Sequence, residues 1–166
     1  MTPADVLALV EAEADPRAKA NFERLYPDSP SRSVGVALTK LRKLAKKVGR
    51  DRALAAELWA SDVYELRMLG LMIDDPKAIT EAQAEAQVEQ LDGGQLGHVF
   101  ASCDATLAKA PIAVGLAARW TVADDPVRRR CGHTLVYELA KSTKKSAPDD
   151  AWFQVTVPSS NPLVNR

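Results

Sequence analysis

The segment from Leu38 to Arg50 most constrains the fold, because its apolar and basic residues both recur with the period of an α-helix. The apolar stripe consists of Leu38, Leu41, Ala45 and Val48, and the basic stripe consists of Lys40, Lys43, Lys47 and Arg50. Arg42 and Lys46 add a further basic pair at i, i+4. The pattern predicts one helix with a core face and a strongly cationic face.

The cationic face of this helix has no acidic partner within its own sequence. No Asp or Glu occurs between Thr39 and Arg50, so no i, i+4 ion pair can neutralise the face. An ordinary solvated helix surface is one interpretation of such a charge run. Uncompensated positive charge on a rigid helix also suits a polyanion, such as the backbone of a nucleic acid.

Charge alternates in sign along the chain, although the formal net charge of the 166 residues is zero. Residues 1–30 carry three basic and six acidic groups, a net charge of −3, and residues 31–52 carry eight basic and one acidic group, a net charge of +7. Residues 53–104 carry two basic and ten acidic groups, a net charge of −8, and residues 105–166 carry nine basic and five acidic groups, a net charge of +4. This asymmetry predicts a cationic surface built from two separated segments.

The cysteine content and the hydropathy exclude several classes of protein. Cys103 and Cys131 lack a CxxC spacing and a neighbouring histidine cluster, so we expect two reduced, buried cysteines and no metal site. The first residues do not resemble a signal peptide, and no apolar run approaches the roughly 20 residues that a membrane helix needs. We expect a soluble, cytoplasmic protein without membrane contact.

Helix start and stop signals divide the chain into an all-α pattern. The predicted helices run from Thr2-Pro3 to about residue 14, from Pro16 to about Tyr26, from about Leu38 to Gly49, from Asp51 to Trp59, from Ser61 or Asp62 to about Ile73, from Thr80 to Leu91, over 95–108, from Pro111 to about Trp120, and from about Val127 to Lys141. Asp-Asp-Pro recurs at 74–76 and 124–126. Short helices with recurring junctions predict an α-solenoid of HEAT/armadillo-like helix pairs, with a compact helical bundle as the alternative.

The domain organisation follows from the same pattern. We expect a HEAT-like helical repeat domain over residues 1–146 and an irregular tail over residues 147–166. Residues 147–153 resemble the first turn of a helix, but the residues after them have no helical period and contain two prolines. An ordinary frayed tail and a truncated last repeat are both compatible with this composition. Trp152 and Phe153 are expected to dock on the last helix pair.

Three motifs in the chain resemble the DNA alkylation repair family, the alkylpurine DNA glycosylases built from HEAT-like repeats. They are Gly35-Val36 followed by Leu41-Arg42-Lys43-Leu44-Ala45-Lys46, then Leu58-Trp59-Ala60-Ser61 followed by Glu65, Arg67 and Leu69, and finally Asp125-Pro126-Val127-Arg128-Arg129. The resemblance covers roughly residues 20–145. It implies a right-handed solenoid with a concave, cationic DNA-binding face.

The resemblance also implies a chemistry. Enzymes of this family cut the N-glycosidic bond of alkylated purines without metal or cofactor, and a carboxylate and aromatic side chains line their site. Loss of a cationic base leaves an oxocarbenium-like sugar, which a nearby carboxylate stabilises. The aligned segment of this chain places Gly94 at the family's tryptophan and His98 at its aspartate. A histidine cannot supply a fixed negative charge, and a glycine cannot stack on a nucleotide.

The candidate site residues therefore fall into two groups. For DNA binding we expect Lys40, Lys43, Lys47, Arg128, Arg129 and Arg130. For catalysis the candidates are His98, Asp92 and Asp104. The first hypothesis is a DNA-binding protein whose catalytic positions are lost. The alternatives are an active glycosylase that uses another carboxylate, for example Asp92 or Asp104, and a helical scaffold that binds a protein partner without binding DNA. In the scaffold, the acidic block at 53–104 would be as important as the basic helices.

Overall fold

The structure, a computed structural model, describes residues 1–92, 95–142 and 147–156. The helices are Pro3–Glu11 (α1), Pro16–Leu25 (α2), Leu38–Val48 (α3), Arg52–Trp59 (α4), Tyr64–Ile73 (α5), Glu81–Glu89 (α6), Leu96–Ala101 (α7), Ala113–Trp120 (α8), Pro126–Ala140 (α9) and Asp150–Thr156 (α10). A 3₁₀ turn covers Leu107–Lys109. These described residues contain no β-strand, only an isolated bridge between Arg32 and Val63, so the predicted all-α class is confirmed.

Side-chain caps fix most of the predicted helix starts. Thr2 accepts a hydrogen bond from the backbone of Asp5, whose carboxylate accepts one in return, which makes a capping box at the start of α1. The side chains of Asp15, Asp51, Thr80 and Asp125 accept backbone hydrogen bonds at the starts of α2, α4, α6 and α9. Most of the predicted helix starts are therefore confirmed by N-cap hydrogen bonds.

The predicted cap of α5 is wrong. The N-cap is Val63, which has no side-chain hydrogen bond, and neither Ser61 nor Asp62 caps the helix. The extended backbone at Arg32 takes over part of that role, because its carbonyl accepts the N–H of Tyr64 at 2.9 Å and its N–H donates to Asp62 at 2.8 Å. A distant segment thus satisfies backbone groups that a local side chain was expected to satisfy.

The helix predicted over 95–108 is much shorter, since α7 ends at Ala101. Beyond it, Ser102 accepts the backbone N–H of Asp104, and both the N–H and the hydroxyl of Thr106 donate to the carbonyl of Leu71. These bonds tie the chain to the end of α5. Tertiary hydrogen bonds therefore override a helical pattern that the sequence supports.

The helices stack in pairs. Within the described residues α4 packs on α5 and α8 on α9, while α3, α5, α7 and α9 follow one another as neighbours in one layer. The core between the layers holds fully buried side chains, the largest of which are Trp120, Phe100, Leu41, Leu58 and Leu69. Trp120 stacks on Phe100 with 6.0 Å between ring centroids.

Two glycines allow the closest helix pairs to form. A Cβ at Gly70 would lie 2.7 Å from the carbonyl oxygen of Ala55, and a Cβ at Gly132 would lie 2.5 Å from the amide nitrogen of Thr121. Real Cβ atoms do not approach backbone atoms so closely. The absence of a side chain therefore sets the separation of α5 from α4 and of α9 from the end of α8.

The helical turn predicted at 147–153 is present, and the helix continues three residues into the segment that was expected to be irregular. Residues Asp150–Thr156 form α10, and the side chain of Asp149 accepts the N–H of Trp152 at its start. Trp152 and Phe153 are partly buried and pack against the core. The remainder of the predicted tail, residues 157–166, lies outside the described residues.

Candidate nucleic-acid interface

The cationic face of α3 receives acidic partners from other segments, which the local sequence did not reveal. The ammonium of Lys40 lies 2.8 Å from the carboxylate of Glu13, and it also donates to the carbonyl of Glu13 at 3.3 Å. The ion pair lowers the pKa of Glu13. The expectation that α3 is wholly uncompensated is therefore wrong at this position.

Arg42 is the second compensated residue of α3. Its guanidinium donates two hydrogen bonds to the carboxylate of Asp104, at 2.6 and 2.7 Å. This bidentate pair lowers the pKa of Asp104, chiefly through the hydrogen bond to Arg42. The pair holds the turn after α7 against α3, so the catalytic candidate Asp104 serves as a structural ion-pair partner here.

Lys43, Lys46, Lys47 and Arg50 remain exposed along α3 and the residue that follows it. Within residues 1–92, 95–142 and 147–156, the side chains of these four residues have no ion-pair partner. Lys43 and Lys47 were predicted to bind DNA. Lys46 and Arg50, which were not among the predicted DNA contacts, are exposed and lack an ion-pair partner in the described residues as well.

The structure brings four cations together around one depression, which we call the cationic groove. It has a volume of about 480 Å³ and is lined by Arg42, Lys46, Arg50 and Lys109, with Asp104 as its one carboxylate and with Ala45, Gly49, Met72, Ile73 and Cys103. The groove lies at the ends of α3 and α5 and beside the turn after α7. Four positive groups against one negative group make it a positively charged surface.

Lys109 is the fourth cation that lines the groove. Its ammonium donates to the carbonyl oxygens of Cys103 at 2.8 Å and Ala105 at 3.1 Å, which holds it at the rim. Burial lowers the pKa of Lys109, and the neighbouring Arg50 guanidinium lowers it further. The effect of Arg50 on Lys109 shows that these two positive charges lie close to each other in the groove.

The three arginines at the start of α9 have three different environments. Arg128 is 22 % exposed and donates to Glu85 at 2.9 Å and Glu89 at 3.1 Å, so it ties α9 to α6. Arg129 donates to the carbonyl oxygens of Ala123 and Asp124 and closes the turn before α9. The side chain of Arg130 is exposed and has no ion-pair or hydrogen-bond partner in the described part of the chain.

Arg130 lines a second depression, which we call the α7–α9 cavity. Its volume is about 450 Å³, and its lining consists of Tyr26, Leu91, Asp92, Gly97, His98, Val127, Arg130, Cys131 and Thr134. The structure thus brings the catalytic candidates His98 and Asp92 to one cavity. Asp104 is not among its lining residues, and Gly94 lies outside the described residues.

Asp92 has an unusual environment for a carboxylate. Its side chain is 7 % exposed, and Oδ2 lies 3.0 Å from the guanidinium of Arg67 and accepts the hydroxyls of Ser31 and Ser29. The other oxygen, Oδ1, is buried and has no hydrogen-bond partner in the described parts of the chain. A buried acceptor without a partner costs about 1–3 kcal/mol, which a bound donor could recover.

Arg67 and Glu65, two residues of the same motif on α5, bind different partners. Arg67 also donates to the carbonyl of Gln90 at 2.6 Å, and it stacks 4.3 Å above the ring of Trp59. Glu65 is 1 % exposed and accepts the Ser33 hydroxyl and three backbone N–H groups of the loop before α3. Both residues hold the fold together.

The two cysteines differ from each other. Cys131 is buried, as predicted, and burial raises the pKa of its thiol to about 11. Cys103 is exposed, so the prediction of two buried cysteines is wrong for this residue. The reason is the early end of α7, which leaves Cys103 in a surface turn rather than on a helix face.

Comparison with known proteins places this architecture in a family. The family model of the DNA alkylation repair enzymes matches residues 6–154, and the chain therefore belongs to that family. No curated protein matches the chain significantly.

A solved structure extends the comparison to the fold. It is described as belonging to a new family of proteins related to the HEAT-like repeat DNA glycosylases with affinity for branched DNA structures. It is 25% identical in sequence, with a TM-score of 0.76 over 91% of this chain. This chain spans 63% of the length of that protein. The predicted solenoid of HEAT-like helix pairs is confirmed by this likeness.

The described residues contain neither a group of three or more His, Cys, Asp and Glu side chains suited to a metal ion nor a helix long and apolar enough to cross a membrane.

Proposed function

We propose that this protein binds the phosphate backbone of DNA through the cationic groove and the adjoining basic side chains of α3. The observation that carries the proposal is the convergence of Arg42, Lys46, Arg50 and Lys109 on one depression. A groove of one charge sign attracts a polyanion and raises its rate of association. Two further cations of α3, Lys43 and Lys47, extend the positive surface along the same helix.

Within the described part of the chain, the ion pairs and hydrogen bonds of the six predicted DNA contacts divide them into those that are free to bind phosphate and those that already have partners. We propose Lys43, Lys47 and Arg130 as contacts, because their charges are exposed and unpaired in the described structure. Lys40 and Arg129 would have to exchange contacts that they already make, with Glu13 and with backbone carbonyls. Arg128 is shared by two glutamates of α6, and we propose a structural role for it.

We further propose that the protein binds DNA without cutting the glycosidic bond. The position aligned with the family's catalytic aspartate holds His98, whose side chain cannot provide a fixed negative charge. Asp92 and Asp104, the carboxylates nearest in sequence, are each engaged by an arginine, at 3.0 Å and 2.6 Å. A carboxylate already neutralised in this way is poorly placed to stabilise an oxocarbenium ion.

The affinity of the similar solved protein for branched DNA supports DNA as the partner rather than a protein. The test is a binding titration with a linear duplex and a branched junction at two salt concentrations, together with an assay for free base from DNA carrying N-methylated purines. We expect binding that weakens steeply with salt and no base release. Base release would restore the glycosylase alternative with Asp92 as the first carboxylate to replace. Absence of both binding and release would leave the protein-binding scaffold.

A further inference from the structure

The α7–α9 cavity has a chemical character that backbone binding does not use. We propose that it takes one nucleotide of DNA that is not in a base pair. This proposal rests on the proposed DNA binding and adds a ligand site to it. The volume of about 450 Å³ falls in the range of roughly 300–1,000 Å³ that small-molecule sites occupy.

The lining of the cavity suits the parts of a nucleotide. Tyr26 offers an aromatic ring, on which unpaired bases commonly stack. Arg130 offers an unpaired guanidinium to the phosphate, and Thr134 lies one turn further along the same helix. Leu91 and Val127 supply apolar surface. Aromatic, cationic and apolar groups in one depression match a nucleotide better than they match a bare phosphate.

Asp92 provides the second, independent indication of a ligand. Its side chain is more than nine-tenths buried and lines the cavity, and its Oδ1 lacks a hydrogen-bond donor among the described residues. The ring and exocyclic N–H groups of an unpaired base are donors that a carboxylate accepts well. Because Oδ1 is closed off from solvent, a base in the cavity would supply the missing hydrogen bond once the lining side chains move apart. A base held in a duplex would not, because its donors are already paired.

The position of the cavity allows one DNA strand to reach both surfaces. His98 of α7 lines the cavity, whereas Cys103 and Asp104, just beyond the end of α7, line the cationic groove. The six residues of α7 span about 9 Å, so the cavity and the groove lie at a short distance from each other along this helix. His98 is also near enough to Asp104 to help lower the pKa of that carboxyl. A backbone in the groove could therefore continue into the cavity.

The test uses the whole chain and a duplex with a one-nucleotide flap whose single unpaired base is 2-aminopurine. The comparators are the same flap with an abasic residue, the fully paired duplex, and free 2-aminopurine deoxynucleotide. We expect the base-bearing flap to bind about tenfold more tightly than the abasic flap. We also expect a change in 2-aminopurine fluorescence on binding, because the base leaves its neighbours.

Gly97→Leu is the most direct variant, because it fills the cavity. A Cβ at Gly97 would meet only Leu91, a fellow lining residue, at 3.9 Å, so the helix accepts a side chain there. We expect the preference for the base-bearing flap to disappear while duplex binding persists. Gly115→Leu is the matched control, since Gly115 is an exposed helical glycine that does not line the cavity.

Arg130→Ala is the second variant, and it should weaken binding of both flaps at least several-fold, because both retain the phosphate. Its control is Arg17→Ala, an exposed arginine at the opposite end of α2 from Tyr26, about 13 Å along the helix axis.

Salt-dependent duplex binding without any preference for the base-bearing flap, or a preference that survives Gly97→Leu, would overturn the nucleotide site in the cavity while leaving the proposed function intact. Binding of the free nucleotide without discrimination among the DNAs would overturn DNA as its source. Failure to bind any of the DNAs would overturn the proposed function itself.

Discussion

The backbone N–H of Gly35 donates to the buried carboxylate of Glu65 at 2.9 Å. The same carboxylate accepts the N–H groups of Val34 at 3.0 Å and Val36 at 3.2 Å. One side chain at the start of α5 thus fixes the loop that leads into α3. Gly35 has a φ of 85°, and a Cβ there would lie 2.3 Å from the carbonyl oxygen of Asp15. The Gly-Val and Glu-x-Arg motifs, on which the resemblance to the family was based, therefore have a structural explanation in this chain.

Replacing Glu65 with glutamine tests this structural role. The amide keeps the volume but turns one acceptor into a donor that faces backbone N–H groups. We expect the free energy of unfolding to fall by about 2–3 kcal/mol, as for the loss of charged hydrogen bonds in a buried site. Urea denaturation measures it. Glu57→Gln, at an exposed position of α4, should change stability by less than about 0.5 kcal/mol. Equal effects of the two substitutions would refute the role of Glu65.

Gly132→Ala tests the close contact between α8 and α9. The new Cβ would lie 2.5 Å from the amide nitrogen of Thr121 and 2.6 Å from the carbonyl carbon of Trp120, neither of which can move aside cheaply. We expect a loss of about 1–3 kcal/mol from overpacking, measured by thermal or urea unfolding. Gly115→Ala is the control. Its Cβ meets only the end of Arg119 at 3.6 Å, so the better helix former should stabilise α8 by about 0.5–1 kcal/mol. A neutral Gly132→Ala would show that the helices can separate.

The bidentate pair of Arg42 and Asp104 predicts a pH-dependent contribution to stability. Arg42 lowers the pKa of Asp104 from its ordinary value of 3.8, so the folded state binds the proton less tightly than the unfolded state does. The contribution is fully present above pH 3.8 and is lost as the pH falls through the lowered pKa of the folded state. A double-mutant cycle of Arg42→Gln and Asp104→Asn, measured by urea unfolding from pH 7 downwards, isolates it. A coupling energy that does not change with pH would contradict the ion pair.

Local sequence signals predicted the helices well, because caps act within one turn. Thr2, Asp15, Asp51 and Asp125 each bind a backbone N–H two or three residues ahead, and each was recognisable from the sequence. The early end of α7 was not recognisable. It depends on Leu71, whose carbonyl accepts from Thr106 across 35 residues of sequence. No local pattern carries that information.

The candidate interface was only half predictable for the same reason. The basic character of α3 follows from its own sequence. The carboxylates that neutralise Lys40 and Arg42 belong to Glu13 and Asp104, which lie outside α3 in the sequence. Lys109 had no signal of its own, since it stands alone in a turn. A further stripe was visible but unused. Arg42, Lys46 and Arg50 follow one another at i, i+4 and i+8, and all three line the cationic groove.

The salt dependence of DNA binding gives the sharpest test of the cationic groove. Lys46→Gln with Arg50→Gln removes two exposed charges that line the groove and have no ion-pair partner in the described residues. If each contacts one phosphate, the slope of log K against log salt should become shallower by about 2, and duplex affinity should fall at low salt. Arg17→Gln with Lys77→Gln is the matched control, because it removes two exposed charges outside the groove. Both double variants lower the net charge equally. An equal loss of slope in the two would therefore indicate attraction by overall charge and refute a phosphate-binding groove, whereas a loss confined to the first variant is what direct contacts require.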